Sequence, residues 1–143
     1  MIVLGPGSLY TSVIPNLIIR GMSEAIGRTN AFKIYVCNVM TQEGETDNYS
    51  ASDHLKAIVD HTNRDVINAC IINTSSVPSA ELLERYRREN SYPVQPDIEK
   101  IKAMGYKAVA TDILSVTDYV RHDSKKLMAA LIKLIETHRV IKR

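Results

Sequence analysis

The chain has 143 residues, of which 45% are apolar and 24% are charged, and its formal net charge is +2 at pH 7. This length fits one domain with its own core, so we predict a single α/β domain over residues 1–143. So small a net charge argues against a nucleic-acid-binding protein. No apolar run approaches the roughly 20 residues that cross a bilayer, and no signal segment opens the chain. We therefore expect a cytoplasmic protein in which Cys37 and Cys70 are reduced packing residues.

Four short apolar runs predict β-strands. They lie at Ile2–Leu4, residues 33–40, Ala69–Asn73 and Lys107–Thr111. Their nearly continuous Ile, Val, Ala and Cys content is typical of strands that are covered on both faces, as in a parallel sheet.

Amphipathic stretches between these runs predict helices. Pro15 and Gly21 argue against one continuous first helix, so we expect a short or kinked helix and then a second one over residues 22–27. Four later helix starts carry a residue that can cap free backbone amides: Ser50, Ser79, Asp97 and Asp123. On the helix after Ser50, His54 and His61 are expected to be solvated or edge residues rather than ligands. Alternating strands and helices predict right-handed crossovers and a Rossmann-like parallel sheet with helices on both faces.

The loops after the strands are the candidate ligand site, because the carboxyl ends of parallel strands meet at one edge of the sheet. The first loop is Gly5-Pro6-Gly7-Ser8. Glycine lets backbone N–H groups approach an oxyanion, and the hydroxyl of Ser8 adds a donor. The loop therefore fits an anion cradle, but it also fits a strand-to-helix turn that needs glycine for backbone reasons alone.

The second loop is a long polar segment over residues 41–49. Asn38, Thr41 and Gln42 lie nearest the end of the preceding strand and are the better ligand candidates. Three carboxylates follow them: Glu43, Glu45 and Asp47. We interpret these as an exposed acidic loop rather than as Mg²⁺ ligands or bases.

Arg121, His122 and Asp123 precede the last helix. Arg121 suits bidentate contact with a phosphate or carboxylate, or else it pairs with a nearby carboxylate beside an Asp123 cap. His122 has the chemistry of a general acid or base, but the sequence names no partner for it. Tyr86 follows Leu82 at helical spacing, which by itself favours core packing.

Three stretches carry a family resemblance. They are "IVLGPGSLYTSVIPNL", "IYVCNVMTQEGETDNYSASDH" and "RHDSKKL". They resemble the YvcK-like branch of the CofD-like proteins, which are known as gluconeogenesis factors. The resemblance runs through nearly the whole chain and implies the C-terminal part of a longer CofD-like fold. The Gly-rich nucleotide loop that the family carries on an earlier strand has no counterpart here.

This resemblance implies a cytoplasmic Rossmann-like protein with a nucleotide or nucleotide-sugar site. YvcK-like members are associated with growth on gluconeogenic carbon sources, cell shape and peptidoglycan synthesis, and look like UDP-sugar-binding regulators. The CofD branch consists of transferases that move a phospholactyl group from a guanosine diphosphate donor onto a deazaflavin with Mg²⁺. We favour a non-catalytic UDP-sugar-binding regulator. The alternatives are a CofD-like transferase and a structural fragment that binds no ligand by itself.

The resemblance also implies roles for particular residues. The family's phosphate contacts fall on Gly7, Ser8, Asn38 and Thr41. Its nucleotide-sugar contacts include Tyr86 and Arg121, and Gly5 and Gln42 complete the predicted site from the same loops. We expect no metal ligand in the regulator, whereas Mg²⁺ belongs to the transferase interpretation. The expected partners are the nucleotide sugar and further copies of the chain in a homo-oligomer.

Overall fold

A computed structural model describes residues 1–141 and contains a four-stranded parallel sheet in the order β1-β2-β3-β4. The strands are β1 (Ile2–Leu4), β2 (Lys33–Val36), β3 (Ala69–Asn73) and β4 (Lys107–Thr111). In register, Leu4 lies beside Tyr35, and Tyr35 lies beside Cys70. This confirms the predicted Rossmann-like α/β class.

The helices cover both faces of the sheet. They are α1 (Ile14–Leu17), which continues a π-helical turn over Leu9–Val13, α2 (Met22–Arg28), α3 (Ala51–His61), α4 (Ala80–Arg88), α5 (Ile98–Ala103) and α6 (Ser124–Ile141). On one face, Leu55 and Ile101 pack with Tyr35. On the other face, Leu134 of α6 packs with Ile34. No helix of residues 1–141 combines the length and apolar character that a membrane crossing requires.

Three of the predicted helix caps are confirmed. Ser50 Oγ accepts from the Asp53 N–H, and the Asp53 carboxylate accepts from the Ser50 N–H at 2.9 Å. Ser79 Oγ accepts from the N–H of Leu82 at 3.1 Å. Asp123 accepts from the N–H groups of the second and third residues of α6. Local sequence is sufficient for these caps because donor and acceptor lie within three residues.

The prediction that the Asp97 side chain caps α5 is wrong. The Asp97 carboxylate does not cap α5 but accepts from the backbone N–H of Ser52 at 2.8 Å and from its hydroxyl. Burial raises the pKa of Asp97, but these hydrogen bonds outweigh it and hold the pKa below its usual value. Asp97 therefore joins α5 to the first turn of α3, where the helix dipole favours a negative charge.

Two features of the chain differ from the predicted secondary structure. The strand predicted over residues 33–40 ends at Val36, after which Met40 pairs only in an isolated bridge with Pro93. The segment after β4, in which the sequence predicts no strand, forms an antiparallel hairpin of β5 (Leu114–Val116) and β6 (Val120–His122). Its apolar residues pack against α4 and the segment after β2, which explains why so short a hairpin is ordered.

The prediction that His54 is a solvated or edge residue is also wrong. His54 is fully buried, its Nδ1 bonds the carbonyl of Ser50 at 2.8 Å, and the ring of Tyr49 packs edge-on against it. Cys37 and Cys70 are buried free thiols, as predicted. A hydrogen bond with Cys37 and burial raise the pKa of the Cys70 thiol, which keeps it protonated.

Candidate functional site

A cavity of about 480 Å³ lies between the loops after β1 and β2, α4 and β6. Seven of the eight predicted site residues line it: Gly7, Ser8, Asn38, Thr41, Gln42, Tyr86 and Arg121. His122 and Ser91 line it as well. A second depression of about 450 Å³, between α4 and the hairpin turn, is lined by charged groups of both signs and by none of the predicted residues.

Gly5, the eighth predicted residue, does not line this cavity. Its φ is +76°, and a Cβ at this position would lie 3.1 Å from the carbonyl oxygen of Val36. A side chain here would be strained by the backbone conformation and crowded by β2. Gly5 therefore lets the loop cross the end of β2, and the structure supports the backbone explanation for this one glycine.

Ser8 connects the first loop to the second. Its hydroxyl donates to Gln42 Oε1 at 2.7 Å and lies 3.3 Å from Glu45 Oε2. Glu45 is half-buried by this contact, so the prediction that all three acidic residues of the loop are exposed is wrong for Glu45. A carboxylate therefore lies beside the hydroxyl that we expect to contact an anion.

Thr41 is part of the frame of the site. It is only 3% exposed, and its Oγ1 accepts from the N–H of Tyr92 at 2.9 Å. Its carbonyl accepts from the hydroxyl of Ser91 at 2.6 Å. Asn38 differs, because its side-chain amide is half-buried and makes no hydrogen bond among the described residues. Of these two predicted ligand contacts, Asn38 therefore has the side chain that is available to bond a ligand.

Tyr86 reaches from α4 to the hairpin. Its ring packs against the apolar cluster that contains Leu82 and Val120. Its hydroxyl accepts a hydrogen bond from the backbone N–H of Val120 at 2.9 Å. The predicted core packing is thus present on one side of the ring, and the same residue lines the cavity.

Arg121 is exposed, and its guanidinium lies 5.3 Å from the ring centroid of Tyr119. Arg85 approaches the same ring at 5.0 Å. Within residues 1–141 no carboxylate pairs with Arg121. The structure therefore gives no support to the interpretation that Arg121 serves in a structural ion pair, although Asp123 does cap α6.

His122 has a fixed orientation that the sequence did not indicate. Its Nε2 lies 3.0 Å from the carbonyl oxygen of Cys37, 85 residues away. Burial lowers the pKa of His122 from its usual 6.5, although the hydrogen bond to Cys37 opposes this shift. The ring is therefore neutral near pH 7, with its proton on Nε2.

The chemistry of the cavity suits an anionic ligand with polar groups. Donors come from the amide of Asn38 and the guanidinium of Arg121, and His122 supplies an acceptor. The hydroxyl of Ser8 also lines the cavity, but its proton is donated to Gln42 in this structure. No group of three or more His, Cys, Asp or Glu side chains in the described part of the chain is arranged to hold a metal ion.

The comparisons with known proteins agree with this arrangement of strands and loops. The family model for 2-phospho-L-lactate transferase CofD matches residues 1–114. The gluconeogenesis factor of Bacillus subtilis (strain 168) is 40% identical over 137 residues, which are 95% of this chain and 43% of that protein. The gluconeogenesis factor of Halalkalibacterium halodurans is 42% identical over 134 residues, which are 93% of this chain and 41% of that protein.

A solved structure shows the same fold. The crystal structure of a member of the UPF0052 family from Bacillus halodurans superposes with a TM-score of 0.85 at 44% identity, over 90% of this chain and 42% of that one. The chain thus matches the C-terminal part of these relatives and spans about two fifths of their length. Because the family model covers most of its residues, the chain belongs to the CofD family.

Proposed function

We propose that this chain forms the nucleotide-sugar site of a regulatory protein, and that its ligand is a UDP-sugar. The diphosphate lies against Gly7 and Ser8 on one side and Arg121 on the other. The regulated processes are those that the family resemblance implies, namely gluconeogenic carbon metabolism, cell shape and peptidoglycan synthesis. The relatives named gluconeogenesis factors support the first of these processes.

The unpaired guanidinium of Arg121 carries the proposal. An Arg at a cavity mouth that has no carboxylate among the described residues retains its full charge for a ligand. Planar Arg donors match the oxygens of a phosphate in a bidentate manner. The free amide of Asn38 supplies a further donor in the same cavity. A diphosphate provides enough acceptor oxygens for both groups.

The size of the cavity supports a ligand larger than a phosphate ion. Small-molecule sites enclose about 300–1,000 Å³, and the cavity of about 480 Å³ falls in this range. In the matched relatives, more than half of the sequence lies outside the region that this chain covers. We therefore expect a longer relative to bind the ligand more tightly than the 143-residue chain does.

The second candidate is a CofD-like transferase. It is favoured by the family model, whose description is that of a transferase. His122 is the side chain in the cavity best suited to move a proton, since its ring is neutral and oriented. The two candidates share a diphosphate contact and differ in whether the bound donor is consumed.

Isothermal titration calorimetry with UDP-glucose tests the proposal, with the Bacillus subtilis relative measured in parallel. We expect saturable binding at one site per chain and intact UDP-glucose afterwards. Incubation with a guanosine diphosphate phospholactyl donor, a deazaflavin and Mg²⁺ tests the transferase. Release of the nucleotide in that mixture, without UDP-glucose binding, would replace the regulator with the enzyme.

A further inference from the structure

One ring nitrogen of His122 makes a hydrogen bond within the fold, and the other makes none among the described residues. A carbonyl oxygen only accepts, so the contact of Nε2 with the Cys37 carbonyl at 3.0 Å places the hydrogen on Nε2. In a neutral ring the other nitrogen, Nδ1, is then a hydrogen-bond acceptor. The backbone of β2 thereby sets which side of the ring accepts.

Nδ1 is available in the cavity. It has no hydrogen-bond partner among the described residues, and it is not among the buried atoms that lack one, so it retains contact with solvent. The ring is half-buried and lines the cavity. Arg121 lines the same cavity, so a ligand large enough to reach both residues meets an imidazole acceptor and a guanidinium donor.

The acceptor restricts the chemistry of the ligand. A deprotonated phosphate oxygen is itself an acceptor and makes no hydrogen bond with a neutral Nδ1. Leaving a polar atom without a partner in a site costs affinity, so the ligand group at His122 must carry an O–H or N–H. The charged part of the same ligand then lies toward Arg121.

We propose that His122 Nδ1 accepts a hydrogen bond from a hydroxyl or N–H of the ligand, next to the anionic group at Arg121. This inference rests on the proposed nucleotide-sugar function and makes that site selective. Ligands that combine a diphosphate with a hydroxyl-bearing group bind more tightly through this contact. Inorganic sulfate, which is fully deprotonated and offers no O–H or N–H donor, gains nothing from it.

Two substitutions separate the nitrogens. His122→Gln places an amide N–H near the position of Nε2, so it keeps the donor for Cys37 and removes the acceptor. His122→Asn places a carbonyl oxygen near the position of Nδ1, so it keeps the acceptor and removes the link to Cys37. A purely structural role and a ligand-binding role therefore predict opposite orders of affinity for the two variants.

The test is calorimetry at pH 8.5 with UDP-glucose, UDP and inorganic sulfate, together with melting temperatures without ligand. We expect His122→Gln to melt like the wild type and to bind UDP-glucose about three- to tenfold more weakly, with unchanged sulfate binding. We expect His122→Asn to melt at a lower temperature and to bind UDP-glucose more tightly than His122→Gln does. The UDP arm tells whether the donor belongs to the nucleoside or to the sugar.

The outcomes distinguish this inference from the proposed function. If the wild type binds UDP-glucose and His122→Gln binds it with equal affinity, the role of Nδ1 is overturned, but the nucleotide-sugar function is not. Stronger loss in His122→Asn than in His122→Gln would also overturn it and would make His122 a structural link. A wild-type protein that binds sulfate but not UDP-glucose would overturn the nucleotide-sugar function and this inference with it.

Discussion

The hydroxyl of Tyr86 accepts a hydrogen bond from the backbone N–H of Val120 at 2.9 Å, one residue before Arg121. One residue after Arg121, His122 bonds the carbonyl of Cys37. Arg121 is therefore held between two anchors, one on α4 and one at the end of β2. An exposed arginine with no carboxylate among the described residues thus projects from a fixed stretch of backbone.

The anchor on α4 predicts that Tyr86→Phe lowers stability. The Val120 N–H loses its acceptor, so we expect a loss of about 1 kcal/mol in the free energy of unfolding. UDP-glucose binding should weaken a few-fold, because the backbone beside Arg121 is then held less firmly. Urea denaturation and calorimetry measure both effects. Tyr92→Phe, which removes an exposed hydroxyl, is the control, and a Tyr86→Phe variant equal to it in both measurements would contradict the anchor.

Arg121→Ala should weaken UDP-glucose binding by about 1.5–3 kcal/mol, which is typical of hydrogen bonds to charged groups. The melting temperature without ligand should barely change, since Arg121 is exposed and has no carboxylate partner among residues 1–141. Arg28→Ala removes the same charge from an exposed site that does not line the cavity. Comparable loss of affinity in Arg28→Ala would show that net charge, rather than contact, causes the effect.

Glu45→Gln should strengthen binding of a diphosphate ligand. The Glu45 carboxylate lies 3.3 Å from the Ser8 hydroxyl and repels an anion placed there. Removing this charge at a partly solvated site should tighten binding about two- to fivefold, and the gain should shrink as salt is added. Glu43→Gln, on the exposed part of the same loop, is the control. Weaker binding in Glu45→Gln would instead make the carboxylate part of the ligand contact.

Buried His54 predicts a dependence of stability on pH. Burial is the largest influence on His54 and lowers its pKa below the usual 6.5, so the unfolded chain binds more protons than the folded one in that range. The contribution to stability is therefore complete above about pH 6.5 and falls as the pH drops toward the folded-state pKa.

The check is the free energy of unfolding of the wild type and His54→Asn between pH 8 and pH 5. The variant should be less stable at pH 8 because of its smaller side chain, but its stability should fall less toward pH 5. The pKa of His122 is also lowered, so His122 contributes with the same sign in both proteins and cancels in the comparison. Parallel curves would show that His54 does not titrate differently on folding.

The outer edge of β1 and the apolar residues after α1 predict self-association of the chain. β1 is the first strand of the sheet order and exposes Val3, and the segment that runs from the end of α1 into α2 exposes Ile18, Ile19 and Met22. Exposed strand edges and apolar patches tend to pair. Sedimentation should show a concentration-dependent oligomer that Ile18→Lys weakens. Met128→Lys, at an exposed apolar position of α6, is the control, and a monomer at all concentrations would refute the prediction.

Local sequence was enough for the four strands of the parallel sheet, apart from the end of β2, and for three of the four caps. Apolar runs and capping residues act over a few residues, and parallel strands bring the loops at their carboxyl ends together without further information. Spacing alone favoured core packing for Tyr86, so its place in the predicted site came from the family resemblance. Local sequence left the role of Gly5 open between an anion contact and a backbone turn, because its φ and the nearby Val36 carbonyl are properties of the folded loop. It also extended β2 beyond Val36, since an apolar run does not mark where sheet pairing stops.

Only the tertiary structure decided which polar side chains have a hydrogen-bond or ion-pair partner within the described part of the chain and which do not. The partners of Tyr86 and His122 lie 34 and 85 residues away, and Asp97 reaches Ser52 across 45 residues. No local pattern encodes these pairs, because they depend on how α4, the hairpin and α3 pack on the sheet. The same holds for Arg121, which has no carboxylate partner among the described residues. Whether a carboxylate lies near it depends on every element packed around β6.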